Sequence, residues 1–178
     1  MGTFGGHPYG SKPNQLFRNV QGKFQLDEQP QLRVLGRANG YTAPGPSADF
    51  DRDGRLDLFL ANWWVKQDSL LLRNETPSGN WLQVAVQGNA MPGANGVNRL
   101  GVGARVRIYP VGKLGDMTSL LGDREIAVGY GYASGQEALA HWGLDKLDRC
   151  DVEIILPHGR GRLEKKDVAA NQRITIAM

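Results

Sequence analysis

Cysteine is almost absent from this sequence, with Cys150 as the single example among 178 residues. One cysteine cannot form an intramolecular disulfide, a CxxC redox pair or a cysteine zinc cluster. Long apolar runs are also missing, because no stretch approaches the roughly 20 residues that cross a bilayer and Asn62 interrupts the segment from Leu58 to Val65. The sequence therefore predicts no disulfide framework of its own and no insertion into a membrane.

Basic residues are dispersed along most of the sequence. The formal net charge is +3, and only the stretch from His158 to Lys166 is locally basic. Nucleic-acid binding requires a concentrated basic patch, so no nucleic-acid partner is predicted. The first residues, Met-Gly-Thr-Phe-Gly-Gly-His, lack the basic start and apolar centre of a secretory signal peptide. We expect any export signal to lie outside this sequence.

The motifs of common enzymes are missing too. The stretches Gly101–Val106 and Gly129–Ser134 lack the third glycine of a dinucleotide fingerprint, and no phosphate-binding GxxxxGK[ST] loop occurs. Ser134 has no nucleophile elbow around it. The three histidines are His7, His141 and His158. None of them has another histidine at the short spacing typical of a zinc site. We predict that the chain is not an enzyme and has no catalytic residues.

What the sequence does have is glycine and proline, 24 and 9 residues, scattered between short apolar segments. Alternation of apolar and polar residues is typical of half-buried strands, and it recurs five times after residue 80: at 82–86, 106–108, 126–130, 152–156 and 174–176. Only Gln136 to Leu144 is predicted as a short helical turn. The pattern predicts an all-β protein whose C-terminal part is a β-sandwich or small barrel.

A weak internal repeat lies in the first half. Leu16-Phe-Arg-Asn19 is echoed by Leu71-Leu-Arg-Asn74, and so long an offset is typical of propeller-type units of several strands. The turn cluster Glu75 to Asn80 is the predicted boundary between two regions. The predicted domains are 1–79, a repeat region, and 80–178, a β domain.

One segment has the spacing of a metal site. Asp49-Phe-Asp-Arg-Asp-Gly-Arg-Leu-Asp57 places carboxylates at positions 1, 3, 5 and 9, with Gly54 at position 6 allowing a sharp turn. Ca²⁺ takes six to eight oxygen ligands that such a loop can wrap around one point. The predicted ligands are the side chains of Asp49, Asp51, Asp53 and Asp57 and the main-chain carbonyl of Arg55.

Other interpretations of this loop fit less well. An EF-hand requires glutamate at position 12, where this chain has Leu60, and a helix on each side, whereas the residues after Leu56 are strand-like. Magnesium demands a tight octahedron and retains its waters. The remaining alternative is a solvated acidic turn without an ion, in which the four carboxylates would repel one another.

Asp49 to Trp63 resembles the FG-GAP/VCBS repeat of integrin-α-like β-propellers, and the Leu-Phe-Arg-Asn and Leu-Leu-Arg-Asn pieces resemble the strand between such repeats. The chain from about Asn80 onward is similar to the ASPIC/UnbV domain that follows such propellers in the cartilage acidic protein family. The matching motifs are Asn98-Arg-Leu-Gly-Val-Gly-Ala-Arg-Val, Gly129-Tyr-Gly-Tyr-Ala-Ser-Gly, His141-Trp-Gly-Leu, Val152-Glu-Ile-Ile-Leu-Pro-His-Gly and Val168-Ala-Ala-Asn-Gln.

The resemblance implies a partial β-propeller-type repeat, a strand, calcium loop and strand, packed with the C-terminal β domain. It further implies a calcium-binding, non-catalytic adhesion-type module, extracellular or at the cell surface, with a protein or glycan partner. Family members have enough repeats for a closed propeller, so this chain looks like a C-terminal fragment. Its single repeat cannot bury both faces alone, and we expect it to pack on the C-terminal domain or on a second copy in a homodimer.

Two alternatives stay open. The first is a carbohydrate-binding or carbohydrate-active accessory domain that uses the aromatic rings of Trp63, Trp64 or Trp81. The second is a purely structural interaction remnant whose calcium site supports folding only. Glycan binding tests the first, and the oligomeric state in solution helps to test the second.

Overall fold

The structure is a computed structural model that describes residues 15–27, 45–62, 68–90, 96–132 and 134–178. These residues form twelve strands and two short 3-10 turns, Met117–Ser119 and Pro157–Gly159, and the described ranges contain no α-helix. The all-β fold class predicted from the sequence is confirmed. No helix in the described residues is long and apolar enough to cross a membrane.

Two sheets form the larger part of the protein. The first has the order β11-β10-β7-β8 and is antiparallel throughout, built from β7 (Arg105–Tyr109), β8 (Gly122–Glu125), β10 (Arg149–Ile155) and β11 (Arg162–Ala169). The second has the order β12-β6-β9, in which β6 (Asn80–Gln87) pairs antiparallel with β9 (Ala140–Asp145) and parallel with β12 (Gln172–Ala177).

The core lies between these two sheets. The alternating residues of both sheets pack into one apolar cluster, with Leu82 and Val84 from β6, Val106 from β7 and Ile154 from β10 all fully buried. Because facing sheets bury the alternate side chains of each strand, this is a β-sandwich. Of the two predicted forms, a sandwich or a small barrel, the described residues form the sandwich and do not close into a barrel.

Two local predictions were wrong. The strand expected at 126–130 lies earlier, at β8, and Ile126 is buried just after it while Val128 and Tyr130 are exposed. The helical turn expected at Gln136–Leu144 is strand β9 from Ala140 onward. There Ala140, Trp142 and Leu144 are buried in alternation, which is a period of two residues and not the helical period.

The chain separates into two compact units. One comprises Met1–Gly45 and Phe59–Leu72, and the other comprises Pro46–Leu58 and Arg73–Met178. The segment 46–58, which includes the acidic loop, therefore belongs to the same unit as the sandwich. The predicted domains 1–79 and 80–178 stay a prediction.

In the first unit, β1 (Phe17–Val20) and β2 (Lys23–Leu26) form an antiparallel hairpin with exposed residues along both strands. Gln21 and Gly22, with φ of 51° and 83°, make its two-residue turn. The first Leu-Phe-Arg-Asn copy therefore leads into a turn and a second strand. Trp63 and Trp64 lie outside the described residues.

Strands β3 (Ser47–Ala48), β4 (Asp57–Leu60) and β5 (Leu70–Leu72) form a third sheet in that order. β3 and the start of β4 are antiparallel, with Ala48 opposite Asp57. This pairing brings the two ends of the acidic loop together, since its first aspartate directly follows β3 and its last begins β4.

Candidate metal centre

Three of the predicted ligands lie close together. One carboxylate oxygen each from Asp49, Asp51 and Asp57 lies within 4.8 Å of the others. Asp57 is 2% exposed, whereas the side chain of Asp51 is 26% exposed. The antiparallel pair β3–β4 explains the meeting of Asp49 with Asp57, and the intervening loop folds Asp51 back toward both.

Asp49 and Asp57 also hold the backbone of the loop. Asp49 accepts hydrogen bonds from the N–H groups of Asp53 and Gly54, both at 3.0 Å. Asp57 accepts from the N–H of Phe50 at 3.3 Å and from the N–H of Asn74 at 2.8 Å. The same two carboxylates therefore shape the loop and form part of the acidic cluster, as in turns in which aspartate substitutes for a backbone acceptor.

Asp53 is not part of the cluster of three. Its carboxylate forms an ion pair with the guanidinium of Arg55 and accepts from the Arg55 N–H at 2.9 Å. Arg73 Nη2 is a further 3.8 Å neighbour of Asp53, and Arg73 Nε lies 2.8 Å from Asp51. Two arginines thus contact the acidic loop where a cation is predicted. Arg55 contacts the Asp53 carboxylate through both its guanidinium and its backbone N–H.

Gly54 is required by the way the loop meets the sandwich. Its φ is +88°, and a Cβ at this position would lie 2.0 Å from Cδ1 of Trp81. Any side chain would therefore collide with the indole ring. Trp81 in turn stacks on His141, with centroids 6.4 Å apart and planes 16° from parallel. One face of Trp81 is occupied by this stacking, which disfavours its role as an open sugar platform.

Gln83 joins the acidic loop to the sheet. Its Nε2 donates to Oδ2 of Asp49 at 2.8 Å and lies 3.2 Å from Nδ1 of His141. Gln83 and His141 are direct neighbours on β6 and β9, on the face opposite the core. Gln83 is only 5% exposed although its neighbour Leu82 is also buried. Both faces of β6 are therefore covered at this point, the outer one by the loop.

The environment of His141 favours the neutral ring. Burial lowers its pKa from the ordinary value of 6.5, against opposing effects of the nearby Asp49 carboxylate and of a hydrogen bond with the backbone of Gly54. A neutral imidazole can accept a hydrogen bond at Nδ1, which is the nitrogen facing the Gln83 amide. The ring thus supports the loop by packing and hydrogen bonding.

Sequence reasoning missed the residues around the loop. Arg73 and Asn74, from the second Leu-Leu-Arg-Asn copy, contact Asp51 and Asp57, and the repeat itself was the available signal. No such signal marked Gln83, and the His141-Trp-Gly-Leu motif did not connect His141 with the loop. Gln83 is 34 residues from Asp49 in sequence, and only the folded sandwich brings them together.

Comparison with known proteins gives a match for the C-terminal half. Residues 94–178 match the family model described as ASPIC and UnbV. Cartilage acidic protein 1 of Homo sapiens is 28% identical over 173 residues, covering 91% of this chain and 23% of that protein. Cartilage acidic protein 1 of Mus musculus is 29% identical over 161 residues, covering 84% of this chain and 22% of that protein.

This chain therefore spans less than a quarter of the length of these relatives. No solved structure matches it significantly. The match to the ASPIC and UnbV family confirms the resemblance seen in the C-terminal motifs, while the FG-GAP/VCBS resemblance of Asp49 to Trp63 stays a prediction. The C-terminal part of the β-sandwich is thus similar to the ASPIC and UnbV domain.

Proposed function

We propose that this chain is a calcium-binding, non-catalytic, adhesion-type binding module of an extracellular or cell-surface protein. The observation that supports it most is the meeting of Asp49, Asp51 and Asp57 oxygens within 4.8 Å. Three carboxylates at this separation repel one another unless a cation lies among them. The similarity to cartilage acidic protein 1 and to the ASPIC and UnbV family supports the extracellular, non-enzymatic part.

The donor set of the loop is all oxygen, which fits a hard cation such as Ca²⁺ better than zinc. Asp49, Asp51 and Asp57 would hold the ion from the cluster already formed. Asp53 and the carbonyl of Arg55 would complete the set if the Arg55 guanidinium left the Asp53 carboxylate. The ion would supply the positive charge that fixes the loop against β6 and β9.

A second candidate is a loop closed by its own arginines, with a purely structural role. The contacts that favour it are Arg73 Nε with Asp51 at 2.8 Å and the ion pair between Arg55 and Asp53. The Arg73 side chain is 55% exposed, and exposed ion pairs typically contribute about 0–1 kcal/mol. That is too little to neutralise three neighbouring carboxylates, so we prefer the calcium-binding function.

Thermal unfolding in calcium and in chelator separates the two candidates. Calcium at 100 times its Kd would stabilise the folded chain by about 2.7 kcal/mol. Asp51→Ala and Asp53→Ala should each lower the melting temperature in calcium and change it little in chelator. Asp148→Ala, at an exposed aspartate outside the loop, is the matched control. Equal losses in both conditions would favour the arginine-closed loop.

The partner of the module is proposed to be a protein or a glycan. A carbohydrate-active role would show as turnover in a panel of glycoside substrates. A homodimer formed through the repeat region would show as twice the monomer mass in light scattering, whereas a monomer would contradict it.

A further inference from the structure

A groove in the described part of the second unit lies beside the acidic loop. Its volume is about 430 Å³, and its walls come from β3, from β8 and the residues after it, and from the start of β9. Gln83 and His141 contribute from the outer face of the second sheet. Small-molecule sites in proteins commonly have volumes of about 300–1,000 Å³, so this groove has room for a small ligand.

Several groups of the groove have hydrogen-bonding capacity left over. The ion pairs of β8 use Asp123, and within the described ranges the adjacent Arg124 and Glu125 have no ion pair. Gln136 donates its Nε2 to Ser47 Oγ at 3.1 Å, which leaves its Oε1 as an acceptor. The groove therefore offers both donors and acceptors from neighbouring side chains.

An exposed aromatic ring completes the lining. Tyr130 is 50% exposed and borders the groove. Its ring gives an apolar surface and its hydroxyl a polar tip, a combination suited to ligands with both characters. Leu56 and Leu139 add small apolar surfaces nearby.

The charges of the lining decide which ligand fits. Glu137 is paired with Arg173, and Asp49 already accepts three hydrogen bonds from within the chain. Arg124 and Glu125 are the charged groups left to a ligand, and a free anion would meet repulsion from Glu125. A compact cation would in turn meet repulsion from Arg124, and the mixed polar lining disfavours a fully apolar ligand. Sugar hydroxyls donate and accept at once, and the C–H face of a sugar ring can pack on an aromatic side chain.

We propose that this groove is a binding site for a neutral saccharide, with Tyr130 under the sugar ring and Arg124, Glu125 and Gln136 on its hydroxyls. The inference names the ligand class of the proposed binding module and rests on that module being non-catalytic. It does not require calcium, although Asp49 lies both in the groove wall and in the acidic cluster. The two proposals can therefore fail separately.

The test is a titration of the full chain with a panel of neutral monosaccharides and disaccharides, followed by backbone amide NMR shifts, in calcium and again in chelator. Uronic acids, glucosamine and an aliphatic alcohol complete the panel. We expect at least one neutral sugar to bind with a Kd of about 1 mM and to shift amides around residues 124–136. Absence of any neutral binder, or tighter binding of the charged sugars, would overturn the proposal.

Matched variants locate the site. Tyr130→Ala and Arg124→Gln, both at exposed positions, should each weaken the sugar Kd about tenfold, which corresponds to one step of about 1.4 kcal/mol. Tyr132→Ala should leave it within about twofold, because Tyr132 is 72% exposed and does not line the groove. An equal loss in Tyr132→Ala would overturn the proposal. Sugar binding in chelator by a chain that binds no calcium would uphold this inference and refute only the metal site.

Discussion

The outer surface of the first sheet and the acidic loop both gather carboxylates, and they balance the charge differently. In the sheet, the buried Glu153 meets Arg162 at 2.9 Å, Arg107 at 3.5 Å and the hydroxyl of Tyr109 at 3.0 Å. Its neighbour Asp123 meets Arg107 at 3.0 Å. The buried Glu153 and the partly buried Asp123 thus have guanidinium partners that the strand register brings to them.

These contacts shift the pKa values of Asp123 and Tyr109. Burial alone would raise the pKa of Asp123, but hydrogen bonds from Arg105 and Arg107 outweigh it and the pKa is lowered. Burial and the hydrogen bond to Glu153 raise the pKa of Tyr109, so its hydroxyl stays protonated and donates to that carboxylate. The sheet cluster is therefore complete within the chain itself.

In the loop, the oxygens of Asp49, Asp51 and Asp57 lie within 4.8 Å, and the cation beside them is the half-exposed Arg73, which meets Asp51. Asp49 and Asp57 accept from backbone N–H groups, which are dipoles and not full charges. The comparison teaches that this fold can supply guanidinium partners to a buried acid such as Glu153. Among the described residues, Asp51 is the member of the loop cluster with a guanidinium partner, and we propose that a cation balances the other two.

The largest expected effect is in the sheet. Glu153→Ala should lower the free energy of unfolding by about 2–4 kcal/mol, because Arg107, Arg162 and the Tyr109 hydroxyl lose their shared acceptor. The loss should be the same in calcium and in chelator when measured by urea denaturation. Glu164→Ala is the control, since Glu164 lies opposite Glu153 in the register but is exposed. A loss of stability that depends on calcium would show that the cluster around Glu153 and the acidic loop are coupled. It would then contradict the comparison between them.

Asp57→Asn should have the next largest effect. The amide cannot accept from both Phe50 N–H and Asn74 N–H, and a buried unsatisfied group costs about 1–3 kcal/mol. This loss should appear in chelator by thermal or urea unfolding and should grow in calcium. A variant that loses stability only in chelator would be evidence against an ion at the loop.

Asp123 predicts a specific acid dependence. Because its pKa in the folded state is lowered, its contribution is complete above the ordinary value of 3.8 and is lost as pH falls below it. Asp123→Asn should cost about 1 kcal/mol at pH 7 and should flatten the stability profile below about pH 4. If Asp123→Asn left the dependence of stability on pH unchanged, Asp123 would not contribute to the charge balance of the sheet.

The smallest effect on stability is expected for Arg73→Met. Its exposed ion pair with Asp51 is worth about 0.5 kcal/mol or less in chelator. Because the guanidinium would compete with an incoming ion, calcium should bind the variant severalfold more tightly in a calorimetric titration. Arg99→Met, at an exposed position elsewhere, should leave the affinity unchanged. Weaker calcium binding by Arg73→Met would show that Arg73 supports the site.

The sequence predicted those parts of the fold in which one face of a strand is polar. Alternation identified β6, β7, β10 and β12, whose alternate residues fill the core. Strands β8 and β11 escaped notice because they are the edges of their sheet and are mostly polar, as edge strands commonly are. In β9 the apolar alternation was hidden by the neighbouring Ala138 and Leu139.

The candidate site was predictable to the extent that it is local. Asp49, Asp51 and Asp57 meet because they share one nine-residue loop between paired strands. The separation of Asp53 by Arg55, and the docking of Asp49 on Gln83, depend on side chains whose positions only packing decides. Local spacing therefore indicated the cluster, while its counter-charges and its support required the structure.

Isothermal titration of calcium into chelator-stripped protein tests the proposed metal site most directly. We expect saturable binding of one calcium ion per chain, lost in Asp51→Ala and kept in Asp148→Ala. Absence of heat at any calcium concentration, together with an unchanged melting temperature, would contradict it. The loop would then be an acidic turn held by Arg55 and Arg73, balanced within the chain like the cluster around Glu153.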